Sequence, residues 1–190
     1  MSSVEVSTDG RIEVITGCMF SGKTEELMRR LRRARIAGQS VEVLTPSVDD
    51  RYGEKAIGSH NGNTWTAEVV DSSDLGDLDL EADVVAVDEA NFFDERLVGF
   101  CEDMASRDVR VVVSGIDQTF RGEPFEPVPE LMAMAEYVQK LRAICARCGE
   151  PATRNQRLID GEPAPRDSPT VMVGGEDSYE PRCRSCHELG

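Results

Sequence analysis

The octapeptide GCMFSGKT, Gly17–Thr24, decides the fold. It follows an apolar stretch holding Ile12, Val14 and Ile15 and precedes an amphipathic run, the strand–loop–helix setting of a Walker A phosphate loop. The chemistry needs these residue types in this order. The turn from Gly17 through Cys18, Met19, Phe20 and Ser21 to Gly22 presents backbone N–H groups to the α- and β-phosphates, and its glycines allow the close approach. Lys23 reaches the β/γ oxygens and Thr24 offers a Mg²⁺ ligand. A helix starting near Gly22 points its positive end at the same anion. In this context the motif predicts nucleoside triphosphate binding, with a chance glycine-rich turn as the alternative. It says nothing of what the phosphate is used for.

Outward from the loop, the chain to about Gly115 alternates short apolar strands with helices. Arg11–Thr16, Val41–Leu44, Val84–Asp88 and Val109–Ser114 are rich in Val or Ile, as expected of parallel strands covered on both faces. The expected fold class is α/β, a P-loop NTPase-type parallel sheet with helices on both faces. A first helix from Gly22 to about Ala37 puts Leu27, Leu31 and Ala34 on one stripe. Its other face carries Arg29, Arg30, Arg32, Arg33 and Arg35, read as a solvated face paired with carboxylates rather than a nucleic-acid patch. The polar, glycine-rich stretch from Pro46 to Asn63 reads as a loop or hairpin, and Asp94–Ser106 as a helix with Cys101 in the core. A short helix, Glu130–Glu136, precedes a strand over Tyr137–Ile144.

Val84–Val87 runs straight into Asp88–Glu89. A buried strand ending in Asp is the Walker B arrangement, in which the carboxylate supports hydrated Mg²⁺. Glu89 beside it is placed to accept a proton from whatever attacks the γ-phosphate; its alternative is a helix N-terminal acid before Asn91–Arg96.

A second unit opens at Cys145. Cys145 and Cys148 in CARC are separated by 34 residues from Cys183 and Cys186 in CRSC, and paired Cys-x-x-Cys knuckles are the usual ligand set of a structural tetrahedral Zn²⁺. Rubredoxin-like iron and redox-active dithiols are the alternatives, and His187 is a substitute ligand that the spacing disfavours. Asp160–Gly161 reads as a hairpin turn between Arg154–Ile159 and Thr170–Val173, with Gly174–Arg182 as a loop pinned by the metal. The expected organisation is a flexible N-terminus over residues 1–10, a nucleotide-binding domain over 11–144 and a zinc-binding, substrate-lid domain over 145–190.

The 190 residues carry a net charge of −15, from 36 acidic and 21 basic residues of which Lys23, Lys55 and Lys140 are the lysines. Such a balance disfavours nucleic acid as a partner and suggests a high-salt cytoplasm, the plain alternative being an ordinary acidic enzyme. No stretch approaches the ~20 apolar residues of a membrane span, and Met1–Gly10 lacks a signal-peptide core, so no membrane association and a cytoplasmic location are expected.

Taken together, GCMFSGKT, VDEANFF, GIDQTFRGEPF and the knuckles with VGGEDSYEPRCRSCH resemble the small cytosolic (type II) thymidine kinase family, from about Arg11 to His187. The resemblance implies ATP-dependent phosphorylation of thymidine on its 5′-hydroxyl in nucleoside salvage. It implies phosphate binding by Lys23 and by Thr24 with Mg²⁺, metal support by Asp88, and Glu89 as catalytic base. Arg51 is placed near the phosphates. Met19, Phe92, Ile116 and Phe120 would enclose the thymine, with Val171, Val173, Gly175 and Tyr179 along a lasso-like lid loop. A homotetramer and a structural Zn²⁺ outside the reaction are likewise implied. Asn91 stands where many relatives have Gln, and Asn155 where a Thr often lies near the base, which bears on base selectivity. A P-loop ATPase whose zinc ribbon acts on nucleic acid is the alternative function; it accounts for the Walker pair and knuckles but not for the charge.

Overall fold

The computed structural model describes residues 10–47, 56–58, 64–171 and 178–190. Arg51, Val173 and Gly175 lie outside the described residues, as do residues 1–9.

The main sheet is built from β1 (Arg11–Gly17), β2 (Val41–Pro46), β5 (Glu68–Val70), β6 (Val84–Val87), β7 (Arg110–Gly115) and β8 (Tyr137–Leu141) in the order β5-β2-β6-β7-β1-β8, every neighbouring pair parallel. The near-continuous Val/Ile composition follows from this. Central strands are buried on both faces, and all four residues of β6 are inaccessible, whereas β8 at the edge is largely exposed.

Alternation along each strand sends side chains to two cores. Ile15, Val84, Ala86 and Val112 meet Leu27, Met28, Leu31 and Ala34 of α1 (Lys23–Ile36) on one face. On the other, Ile12, Val14, Val85, Val87, Val111 and Val113 meet α2 (Arg96–Ser106) and α3 (Val128–Met134), which contribute Leu97, Phe100, Cys101, Met104, Val128 and Leu131. Burial pushes the Cys101 thiol up to about 12, which fits a core residue rather than a reactive one. Truncating fully buried Leu31 to Ala removes contacts from α1 and the sheet together, a change that typically costs about 2–5 kcal/mol.

The arginine face of α1 divides three ways. Arg29 and Arg30 pair with Glu26, Arg35 lies 4.0 Å from the Trp65 ring centroid, and Arg32 and Arg33 are exposed. Glu13 of β1, 6% exposed, is bonded by Arg11, Arg30 and Arg110. Burial raises its pKa, but the bonds and charges of the three arginines prevail and hold it at about 2.

Thr64–Val70 is two strands. β4 (Thr64–Thr66) pairs antiparallel with β3 (Ala56–Gly58), while Glu68–Val70 joins the main sheet after Ala67. Tyr137–Ile144 likewise breaks at Arg142. Beyond β8, β9 (Ala143–Ile144) pairs antiparallel with β10 (Pro151–Ala152) in the first knuckle.

The expected partner of Arg154–Ile159 is corrected. The turn at Asp160–Gly161 is present, but it connects β11 (Arg154–Ile159) to the short β12 (Glu162–Pro163), and Thr170 and Val171 form no strand. The long partner of β11 is β13 (Ser178–Arg182), in register Arg154↔Arg182 to Leu158↔Ser178, where a loop was expected. The reason is backbone satisfaction: with Cys183 drawn to the first knuckle, the residues before it lie along the free edge of β11, and their ladder bonds need no apolar side chains.

Candidate active site

Parallel strands deliver their C-terminal ends to one edge of the sheet, and β6, β7 and β1 are adjacent there. Asp88–Glu89, Asp117 and the Gly17–Thr24 loop therefore converge along that edge, where open α/β sheets bind ligands.

The loop leaves β1 at Gly17, φ 141°, where a Cβ would come within 2.5 Å of the Leu141 carbonyl oxygen. Gly22, φ 86°, caps α1, whose first two residues are Lys23 and Thr24. Both positions require glycine for conformation, and Gly17 requires it for space as well. Cys18 is buried and its thiol bonds the Ala152 carbonyl at 3.3 Å, joining the loop to β10. Met19 is half-buried; Phe20 is 60% exposed. Lys23 Nζ donates to the Cys18 carbonyl at 2.9 Å. Burial lowers its pKa, while Glu89 first, then Cys18, Asp88 and Asp117, act to raise it.

Asp88, 3% exposed, stands just past β6, its N–H bonded to the Leu44 carbonyl. Its Oδ1 accepts the N–H of Glu89 at 3.0 Å. Glu89 occupies the left-handed region, φ 52° and ψ 40°, before a 3-10 turn over Ala90–Phe92. A glutamate there is under backbone strain, which side chains at working sites often carry.

Of the residues expected around a base, Ile116 and Phe92 are half-buried, and the Ile116 N–H is received by Asn91 Oδ1 at 3.0 Å. That bond fixes the orientation of the Asn91 amide, leaving buried Nδ2 without a partner among the described residues. Phe120 is 3% exposed, and the guanidinium carbons of Arg121 and Arg157 stand 4.6 and 5.3 Å from its ring centroid. Val171 is exposed and Tyr179, on β13, is half-buried and paired in register with Arg157.

Asp117 was not singled out from sequence, and Asn155 was marked there only for base selectivity. Asp117 is buried and ion-paired with Lys140 of β8; its position at the end of an apolar strand is the signal that marks it. Asn155 receives the Met19 N–H on Oδ1 at 2.7 Å and donates Nδ2 to the Gln118 carbonyl at 2.8 Å, tying β11 to both the phosphate loop and the loop after β7. Sequence offers no sign of a bridge spanning 136 residues.

The four knuckle cysteines come together with every pair of sulfur atoms within 4.8 Å, and Cys148 Sγ lies 3.7 Å from Cys183 Sγ. Zn–S bonds of ~2.3 Å in a tetrahedron set sulfurs about 3.8 Å apart, so the cluster fits such an ion. Burial opposes ionisation of Cys145, yet backbone N–H groups of Cys183, Arg147 and Cys148 bring it down to about 6. Sulfur contacts with Cys183 and then Cys148 push Cys186 up to about 12. Crowded thiolates of this kind ionise together when a cation binds them. His187 is directed elsewhere: its Nε2 is 2.7 Å from the Phe120 carbonyl oxygen.

A phosphate loop, an acidic strand end and a four-cysteine cluster able to hold a metal ion place the molecule among P-loop nucleotide-binding proteins. The family model described as thymidine kinase matches residues 10–187. A thymidine kinase of Halobacterium salinarum is 63% identical over 187 residues, covering 96% of each chain, and one of Haloquadratum walsbyi is 53% identical, covering 97% of each. The chain belongs to the thymidine kinase family. Among solved structures, domain III of the Thermotoga maritima replication initiation protein DnaA aligns with 72% of this chain and 57% of that chain at 15% identity and a TM-score of 0.44.

Proposed function

We propose that the protein transfers the γ-phosphoryl group of ATP to the 5′-hydroxyl of thymidine, yielding thymidine monophosphate and ADP in nucleoside salvage. The observation that carries the reading is Glu89 on a strained, left-handed backbone, beside buried Asp88 and near enough to Lys23 for its charge to act to raise the lysine's pKa. Glu89 accepts the 5′-hydroxyl proton as the oxygen bonds to the γ-phosphorus, and the bond from that phosphorus to the β–γ bridging oxygen breaks, releasing ADP. The loop N–H groups and Lys23 hold the phosphates in line and stabilise the charge that grows on the bridging oxygen. Thr24 and Asp88 are the side chains that would hold Mg²⁺, which when bound would add neutralisation of the phosphate charge. Arg51 would add a cation near the phosphates.

Met19, Phe92, Ile116 and Phe120 form the base-facing surface in this reading, with Val171, Val173, Gly175 and Tyr179 on the side of the chain leading to the second knuckle. The unpartnered Nδ2 of Asn91 supports a polar ligand atom or water beside Ile116. Zn²⁺ is the ion we assign to Cys145, Cys148, Cys183 and Cys186, as a brace for β13 and outside the reaction. A homotetramer completes the proposal; the exposed edge of β8, with Tyr137 and Val138 outward, is compatible with assembly.

The test is ATP consumption by purified protein with and without thymidine. Turnover that requires the nucleoside and yields its monophosphate supports the proposal. Turnover stimulated by DNA or RNA and indifferent to thymidine would sink it.

A further inference from the structure

Residues Arg166–Thr170, beyond β12, form neither helix nor strand. Four of their acceptors are taken by two guanidiniums. Arg121 Nε donates to the Arg166 carbonyl at 2.7 Å and Nη1 to Thr170 Oγ1 at 2.8 Å, while Nη2 donates to the Ser168 carbonyl. Arg157, fully buried, donates Nη1 to the Pro169 carbonyl at 2.7 Å. Both guanidiniums stand over the ring of Phe120, and the Phe120 carbonyl is held in turn by His187. One aromatic ring is thus joined to a five-residue segment by cations that use their faces for the ring and their edges for the backbone.

We propose that Arg121 is a positioning residue for nucleoside binding. Its fork fixes the Phe120 ring and the Arg166–Thr170 segment as one unit, and thymidine affinity depends on that unit while ATP affinity does not. The proposal rests on the reading of Phe120 as a base-facing residue. Its physical basis is that three acceptors on three residues match a planar guanidinium, whose donors are spread across a rigid fork. A lysine ammonium presents its donors from a single atom and reaches one or two of them. ATP is spared because Arg121 makes no bond to the phosphate loop among the described residues.

The experiment is steady-state kinetics on Arg121→Ala, Arg121→Lys, Thr170→Val and Phe120→Ala, with melting temperatures measured alongside. Arg121→Ala is expected to raise thymidine KM about 10- to 100-fold, with ATP KM within about twofold of wild type. Arg121→Lys should resemble Arg121→Ala, since charge without the fork does not rescue. Thr170→Val should raise thymidine KM less, and the Arg121→Ala/Thr170→Val double variant should add little to Arg121→Ala, because both remove the same bond. A wild-type thymidine KM in Arg121→Lys overturns the fork argument. Loss of melting temperature and kcat in Arg121→Ala with thymidine KM unmoved assigns Arg121 a purely structural role and overturns the proposal. Phe120→Ala separates the two levels: an altered thymidine KM there, with none in Arg121→Ala, defeats this inference alone. An unaltered thymidine KM in Phe120→Ala removes the base-facing reading and this inference with it.

Discussion

Glu89 holds a left-handed backbone that costs a non-glycine residue about 1–3 kcal/mol, and the segments either side of it over-determine that conformation. On one side the buried β6 is fixed between β2 and β7; on the other Phe92 N–H bonds back to the Glu89 carbonyl at 3.0 Å. Glu89→Gln preserves volume and removes basicity, so kcat is expected to fall ~10²–10⁴-fold with ATP binding largely kept. Glu89→Gly relieves the strain, and is expected to melt no lower than Glu89→Gln while being equally slow. A near wild-type rate in either variant would remove Glu89 from the mechanism; lost ATP binding in Glu89→Gln would reassign it to the metal side. Lys23→Ala, by contrast, should weaken ATP binding itself, which a direct nucleotide titration reads.

At the scale of elements, two clusters of charge link strands that are distant in sequence. Glu13 joins β1, α1 and β7 through Arg11, Arg30 and Arg110. Its folded pKa of about 2 lies below the ordinary 4.5, so its contribution is fully present above pH 4.5 and is lost as pH falls through about 2. Glu13→Gln removes the carboxylate that Arg110 pairs with and leaves Arg30 only Glu26, and is expected to destabilise by about 3–5 kcal/mol at pH 7, the gap to wild type narrowing in acid melts below pH 4. A constant gap from pH 7 to pH 2 would show that the carboxylate charge is not the source. The second cluster is the knuckle pair, which anchors both ends of the segment between Cys148 and Cys183. About one zinc per chain is expected by elemental analysis, and Cys145→Ser should lower stability before it alters chemistry. Full activity in a strong chelator with no metal present would exclude the site. Tyr179→Ala, on β13, should weaken thymidine binding with ATP affinity nearly unchanged; equal loss of both would indicate misfolding.

The molecule as a whole carries −15, and its relatives from Halobacterium salinarum and Haloquadratum walsbyi fit an acidic, lysine-poor surface. At 1 M salt the Debye length shrinks to ~3 Å, which removes most repulsion between separated surface carboxylates. The short pairs around Glu13, shielded from solvent, are screened far less. Melting temperature and activity are therefore expected to rise from dilute to molar KCl, and a flat or falling melting curve would defeat the idea. Among the described residues no helix is long and apolar enough to cross a membrane.

Residue order alone determined whatever local pattern encodes. The Val/Ile runs specify buried parallel strands, GCMFSGKT specifies a strand–loop–helix turn that only glycine permits at Gly17, and Cys-x-x-Cys pairs specify a common ligand cluster. Tertiary structure decided what depends on meeting at a distance. Ser178–Arg182 has no apolar alternation, so it reads as a loop, yet the edge of β11 gives it a ladder. Asp117, Asn155 bridging Met19 and Gln118, and Arg121 gathering Arg166–Thr170 are ordinary polar residues until folding takes most of their water away. Once water is excluded each must find a partner, and which partner it finds is set by strand order, a property that periodicity in one chain does not carry.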